Sequence, residues 1–168
     1  TITTTFPNSA VDLYIGIDED ESTAPYNGQL DEVLIYNRSL DASEVQDLYK
    51  AGLSQHADTN VTLQTRTADG YNVSDAGLVG LWGLNGDAND ELGVNNGTAS
   101  GGVIYNESSG IVGDGGYFDG SNDYVSVGTG LSGYTNLTIG GWIKYDANNI
   151  VQPLITKWSS TSNLRSYY

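Results

Sequence analysis

Carboxylates are the abundant reactive groups in this chain: 21 Asp and Glu stand against 6 Lys and Arg, with one His and no Cys. Two chemistries suit such a set. The first is cation binding. Ca²⁺ takes six to eight oxygen ligands, and short loops rich in Asp, Asn and Gly supply carboxylate and backbone oxygens close together. Asp87-Ala88-Asn89-Asp90 is a loop of that kind. The competing reading of the same residues is an Asp that caps a turn. The second chemistry is glycoside hydrolysis, in which two carboxyl groups face each other about 5–5.5 Å apart in retaining enzymes. Asp31 and Glu32 are adjacent, so in a strand they point to opposite faces. The run Asp18-Glu19-Asp20-Glu21 lacks interleaved apolar residues and reads as a solvated loop. The lone His56 lies in a polar stretch, so no Ser-His-Asp set forms either. No catalytic residue is assigned, and the chain is not expected to be an enzyme.

Asparagine offers a different chemistry. The Asn-x-Ser/Thr acceptor pattern occurs at Asn37, Asn60, Asn72, Asn96, Asn106 and Asn136. Composition alone would give about three such sites by the acceptor rule. Glycosylation at these positions would place the chain outside the cytoplasm. Asn60 and Asn72, in the polar segment between two strand-rich regions, are the most exposed by sequence context.

Several functions are excluded by charge and composition. A formal net charge of −15 repels a phosphate backbone, so nucleic acid is not a partner. No apolar run reaches the ~18 residues of a membrane-spanning helix. Without Cys there is neither a disulfide framework nor a thiolate metal site. With 12 Tyr and 3 Trp beside many Val, Ile and Leu, the chain can build a core. It opens on a strand-like Thr1-Ile2-Thr3-Thr4-Thr5-Phe6 with no Met and reads as a segment of a longer precursor.

The elements that must position these groups are mostly short strands. Segments 1–6, 11–17, 29–37, 60–67, 78–84, 101–106, 115–119, 123–127, 136–146 and 150–157 are rich in Val, Ile, Thr, Tyr or Trp and bounded by Gly, Asn or Asp. Many short strands of this spacing predict a β-sandwich. One helix interrupts them. Asp41 and Glu44 have capping-box spacing, and Val45, Leu48 and Tyr49 recur on one face. Lys50 in the last turn and Gly52 as a C-terminal stop predict a helix of about ten residues.

Two passages resemble the laminin G-like domains of the concanavalin A-like lectin/glucanase superfamily. Tyr26-Asn27-Gly28-Gln29-Leu30-Asp31-Glu32-Val33-Leu34-Ile35-Tyr36-Asn37-Arg38-Ser39-Leu40, running on to Leu48-Tyr49, is similar to the family's closing motif. Gly77-Leu78-Val79-Gly80-Leu81-Trp82, Gly86–Gly93, Asn96-Gly97-Thr98, Tyr117–Val125 and Leu137–Ile143 are similar to its opening half. The resemblance implies an all-β, antiparallel jelly-roll sandwich with one short helix. It implies a core built on Trp82, Trp142, Phe118 and Tyr36. Several members carry one structural Ca²⁺ near the equivalent loop, which makes Asp90 with Asp31 or Asp123 the implied ligands.

The order of the two passages is inverted, and the family's middle strands are absent. The expected organisation is therefore 1–53 as the C-terminal half of one unit, 54–78 as a linker with one strand, and 79–168 as the N-terminal half of the next. Either the chain is cut from a tandem array, or it is a permuted subunit whose front half completes a neighbour's back half or its own. The expected function is a non-catalytic extracellular or cell-surface repeat unit, structural or adhesive, whose partners are neighbouring copies or adjacent repeats. The alternative is a Ca²⁺-assisted carbohydrate-binding module with glycans as partners, accessory to a secreted glycoside hydrolase.

Overall fold

The structure is a computed structural model that describes residues 11–17, 25–55, 76–111, 113–146, 152–159 and 164–165. The strands expected at 1–6 and 60–67 lie outside the described residues, as do Asp18–Glu21, His56, Asn60 and Asn72.

The described chain is mostly antiparallel β-structure with one helix. The elements are β1 (Leu13–Ile15), β2 (Asn27–Tyr36), α1 (Ala42–Gln55), β3 (Leu78–Trp82), β4 (Thr98–Ser100), β5 (Ile104–Asn106), β6 (Gly115–Asp119), β7 (Tyr124–Gly128), β8 (Thr138–Tyr145), β9 (Ile155–Thr156), β10 (Trp158–Ser159) and β11 (Leu164–Arg165). One sheet has the order β4-β7-β1-β9. The other is organised around β2. One edge of β2 pairs with β6 through Asn27–Leu30 and then with β3 through Val33–Tyr36, and β5 continues outward from β6. Its other edge pairs with β8 from Gly28 to Tyr36. β10 and β11 form a separate two-stranded pair.

The leading segment therefore packs within its own chain. β1 lies between β7 and β9, and β2 is the central strand of its sheet. The sequence explains why β2 holds the centre. Leu30, Val33 and Ile35 join Leu13, Ile15, Trp82, Phe118, Val125 and Val127 in the core shared by the two sheets. Leu34 and Tyr36 face the other way and meet Leu81, with Leu40, Leu48 and Leu78 packed against them. A strand covered on both faces needs a near-continuous apolar run, and Val33-Leu34-Ile35-Tyr36 is one. Full burial of such side chains contributes roughly 1.5–3 kcal/mol each.

The capping box of α1 forms as its spacing predicts. Asp41 Oδ1 accepts the N–H groups of Ser43 and Glu44 at 2.8 and 2.9 Å, and Glu44 Oε2 accepts the N–H of Asp41 at 2.9 Å. The far end differs from expectation, because the helix runs through Gly52 to Gln55. Gly52 is a point of close approach. A Cβ placed there would sit 2.5 Å from Trp142 Nε1, so only glycine lets the helix lie this near β8.

Candidate functional site

The three carboxylates implied as calcium ligands sit in different surroundings. Asp90 organises the loop that follows β3. Its Oδ1 accepts the N–H groups of Leu81 and Leu92 at 3.0 and 3.1 Å, and its Oδ2 accepts those of Asn95 and Val94 at 2.9 and 3.3 Å. Four backbone donors occupy both oxygens of a side chain that is 3% exposed. This is the turn-capping chemistry of aspartate, used to tie an irregular loop to a core strand. Within the candidate calcium loop, Asp87 likewise accepts the backbone and side-chain N–H groups of Asn89.

Asp31 is buried on β2, and its Oδ2 accepts the N–H of Ile111. The residue after it, Glu32, is buried as well and adopts a left-handed φ of +53°. Here β2 bulges, because the register with β8 shifts between Asp31 and Leu34.

Asp123 lies just before β7. Its Oδ2 accepts the N–H of Asp119 at 2.9 Å, while its Oδ1 is buried without a hydrogen-bond partner. Burial raises the pKa of this carboxyl above its ordinary value. The N–H of Asp119 pulls the other way, and the Asp119 charge adds to the rise. Among the described residues no group of three or more His, Asp or Glu comes together.

The four described sequons are at or near the surface. Asn37, Asn96 and Asn136 are exposed. Asn106 is half-buried at the end of β5, where its Oδ1 accepts the hydroxyls of Ser108 and Ser109.

The aromatic residues divide. Trp82, Phe118 and Tyr36 are buried as expected, and Trp82 donates from Nε1 to the carbonyl of Asn95 at 3.1 Å. Trp142 differs. It is half-buried on the outer face of β8, beneath α1, with its ring 5.4 Å from that of Tyr49 at an interplanar angle of 32°. The alternation of β8 is the reason. Ile139 points into the shared core and Ile143 toward the inner side, so Trp142 between them faces outward. Tyr49 is 56% exposed, and the two rings border an apolar groove of about 230 Å³ with Val45, Leu48 and Thr138.

Comparison of the chain with models of known protein families, with curated proteins and with solved structures finds no match. Its chemistry must be argued from its own geometry.

A further feature of that geometry is one side of the two sheets. There, among the described residues, β8 is the outer strand of its sheet and β9 the outer strand of the other. Between them lies a cleft of about 380 Å³ lined by Leu30, Val33, Ile139, Ile143, Leu154 and Ile155. The opposite side is closed by chain, since Gly101 and Gly102 carry it from β4 in one sheet to β5 in the other. Sequence reading did not single out this open side. Its one sequence signal is the Gly140-Gly141 pair inside an otherwise alternating strand.

Proposed function

We propose that this chain is a non-catalytic structural or adhesive unit of an extracellular surface or filament protein, with the jelly-roll topology of the laminin G-like group. The observation that carries the reading is the side where no described strand follows the eight-residue β8, and where that edge and an apolar cleft invite completion by further β-structure. The carboxylates fit the same reading, since Asp90, Asp87 and Asp41 are engaged with backbone donors that shape loops and a helix end. The sequons fit an extracytoplasmic setting, with Asn37, Asn96 and Asn136 open to modification. The leading segment closes the unit from within, which favours a permuted subunit over unrelated halves of an array.

The test is adhesion itself. Beads coated with chain secreted from a glycosylating host should clump with each other, and the intact mass should fall on glycan release. Beads that stay dispersed, on chain that carries no glycan, would refute the reading.

A second reading rests on the Tyr49–Trp142 ring pair, which offers an apolar platform of the kind on which a pyranose stacks. In that reading the chain is a carbohydrate-binding module. Ca²⁺ assistance would centre on Asp123, whose orphaned Oδ1 fits a cation ligand. Glycan binding that disappears in Tyr49→Ala and weakens with a chelator would favour this reading over adhesion.

A further inference from the structure

The open side has features that select its occupant. Among the described residues no strand lies along the outer edge of β8, and an uncovered strand edge is a row of backbone donors and acceptors that only another strand fully satisfies. Natural edges are blunted by charge, proline or brevity. β8 carries one charge, Lys144, no proline, and eight residues.

Its side chains are compatible with a second copy of themselves. In an antiparallel pairing of β8 with β8 centred on Gly141, Ile139 faces Ile143 of the other copy on the inner side. On the outer side Gly140 faces Trp142, and Thr138 faces Lys144. Every inner pair is apolar or glycine. The largest ring of the strand lies opposite glycine, and among the described residues a Cβ on Gly140 would meet nothing within 4 Å. Lys144 meets a hydroxyl rather than its own copy, so no like charges are directly opposed. A shift of one residue would break the symmetry of the apolar pairs. The two-fold that joins the strands also sets cleft beside cleft, which covers both at once.

We propose that two copies of this chain associate through β8, antiparallel about a two-fold axis at Gly141, to form one continuous sheet across the dimer. The proposal rests on the reading of the chain as an assembly-forming unit and names the contact. All 21 acidic residues lie off this strand, so association should tighten as salt screens the repulsion between copies.

The native chain has no Cys, so an introduced thiol reports cleanly. Directly opposed residues of antiparallel strands have Cα atoms about 4.5–5.5 Å apart, within disulfide reach. Gly141→Cys should therefore cross-link into a covalent dimer on mild oxidation. Lys144→Cys should not, because six residues of strand separate the two Lys144 positions by about 20 Å. Sedimentation equilibrium should give wild-type protein twice the 17.9 kDa of one chain. Ile143→Lys, at a side chain that is 52% exposed and so tolerant of change, should weaken the dimer at least tenfold while keeping the β-sheet circular dichroism. A wild-type monomer at millimolar concentration would overturn the proposal, although beads clumping through another partner could still support the adhesive reading. A wild-type dimer with no Gly141→Cys cross-link and no Ile143→Lys effect would place the contact elsewhere and overturn the β8 assignment alone.

Discussion

The two sides of this β-structure are built to different standards. On the closed side the chain crosses from β4 to β5 through Gly101, whose φ is +84° and whose Cα lies so near Asn122 that an added Cβ would be 2.2 Å from its carbonyl oxygen. Nearby loops are tied to the core by Asp90 and by the Trp82 indole. On the open side β8 and β9 end their sheets with a cleft between them, and Ile143 stands 52% exposed. The first side is finished by local chemistry within one chain. The second has an apolar cleft, and among the described residues no strand lies beyond β8 or β9.

The largest expected contrast is between two tryptophans. Trp82→Ala empties a fully buried site and should cost about 3–5 kcal/mol, read as a lower urea midpoint. Trp142→Ala, at a half-buried ring on the open side, should cost well under half of that. Equal losses would erase the distinction between the two sides.

Asp90→Ala comes next. It strips the acceptor from four N–H groups and should cost on the order of 3 kcal/mol, since bonds to a buried carboxylate are worth about 1.5–3 kcal/mol and do not simply add. The same urea titration checks it. A loss below about 0.5 kcal/mol would mean that the loop does not depend on this carboxylate.

Gly52→Ala tests the packing of α1 on the outer face of β8. The added methyl collides with the Trp142 indole, and overpacking of this kind costs about 1–3 kcal/mol. Tryptophan fluorescence should shift as the indole is displaced. An unchanged spectrum and midpoint would show that α1 does not depend on this close approach.

The smallest effect is a pH dependence. The hydroxyl of Ser43 and the backbone N–H groups of Glu44 and Ser43 hold Asp41 below its ordinary pKa, and Arg38, bonded to both oxygens of Glu44 at 2.7 and 2.9 Å, does the same for Glu44. Folded-state values that are depressed stabilise above the unfolded pKa and lose that stability as pH falls through the folded one. Helix α1 should therefore loosen first at acid pH, seen as faster amide exchange. Arg38→Ala should move that loosening to higher pH. Asp123 has the opposite sign, since its raised pKa means that protonation relieves a burial cost as pH falls.

How much of this was legible in the sequence depends on how local the cause is. The capping box was legible, because Asp41 and Glu44 act across three residues. The strands β6, β7 and β8 were legible from alternation and bounding glycines. Gly52 was misread as a helix stop, because its reason is an indole ninety residues away. Trp142 was misread as core for a related reason, since the face of β8 that meets the core is fixed by its pairing with β2. That four backbone N–H groups engage Asp90 was not legible, since the donors come from as far as nine residues away. The open side was invisible because an edge is a property of sheet order rather than of any one strand.

The most direct test of the account is hydrogen exchange at the β8 amides as a function of protein concentration. The account predicts that protection across Gly140–Lys144 rises with concentration, while protection in β6 and β7 stays constant. Protection of β8 that is independent of concentration up to the millimolar range would contradict it.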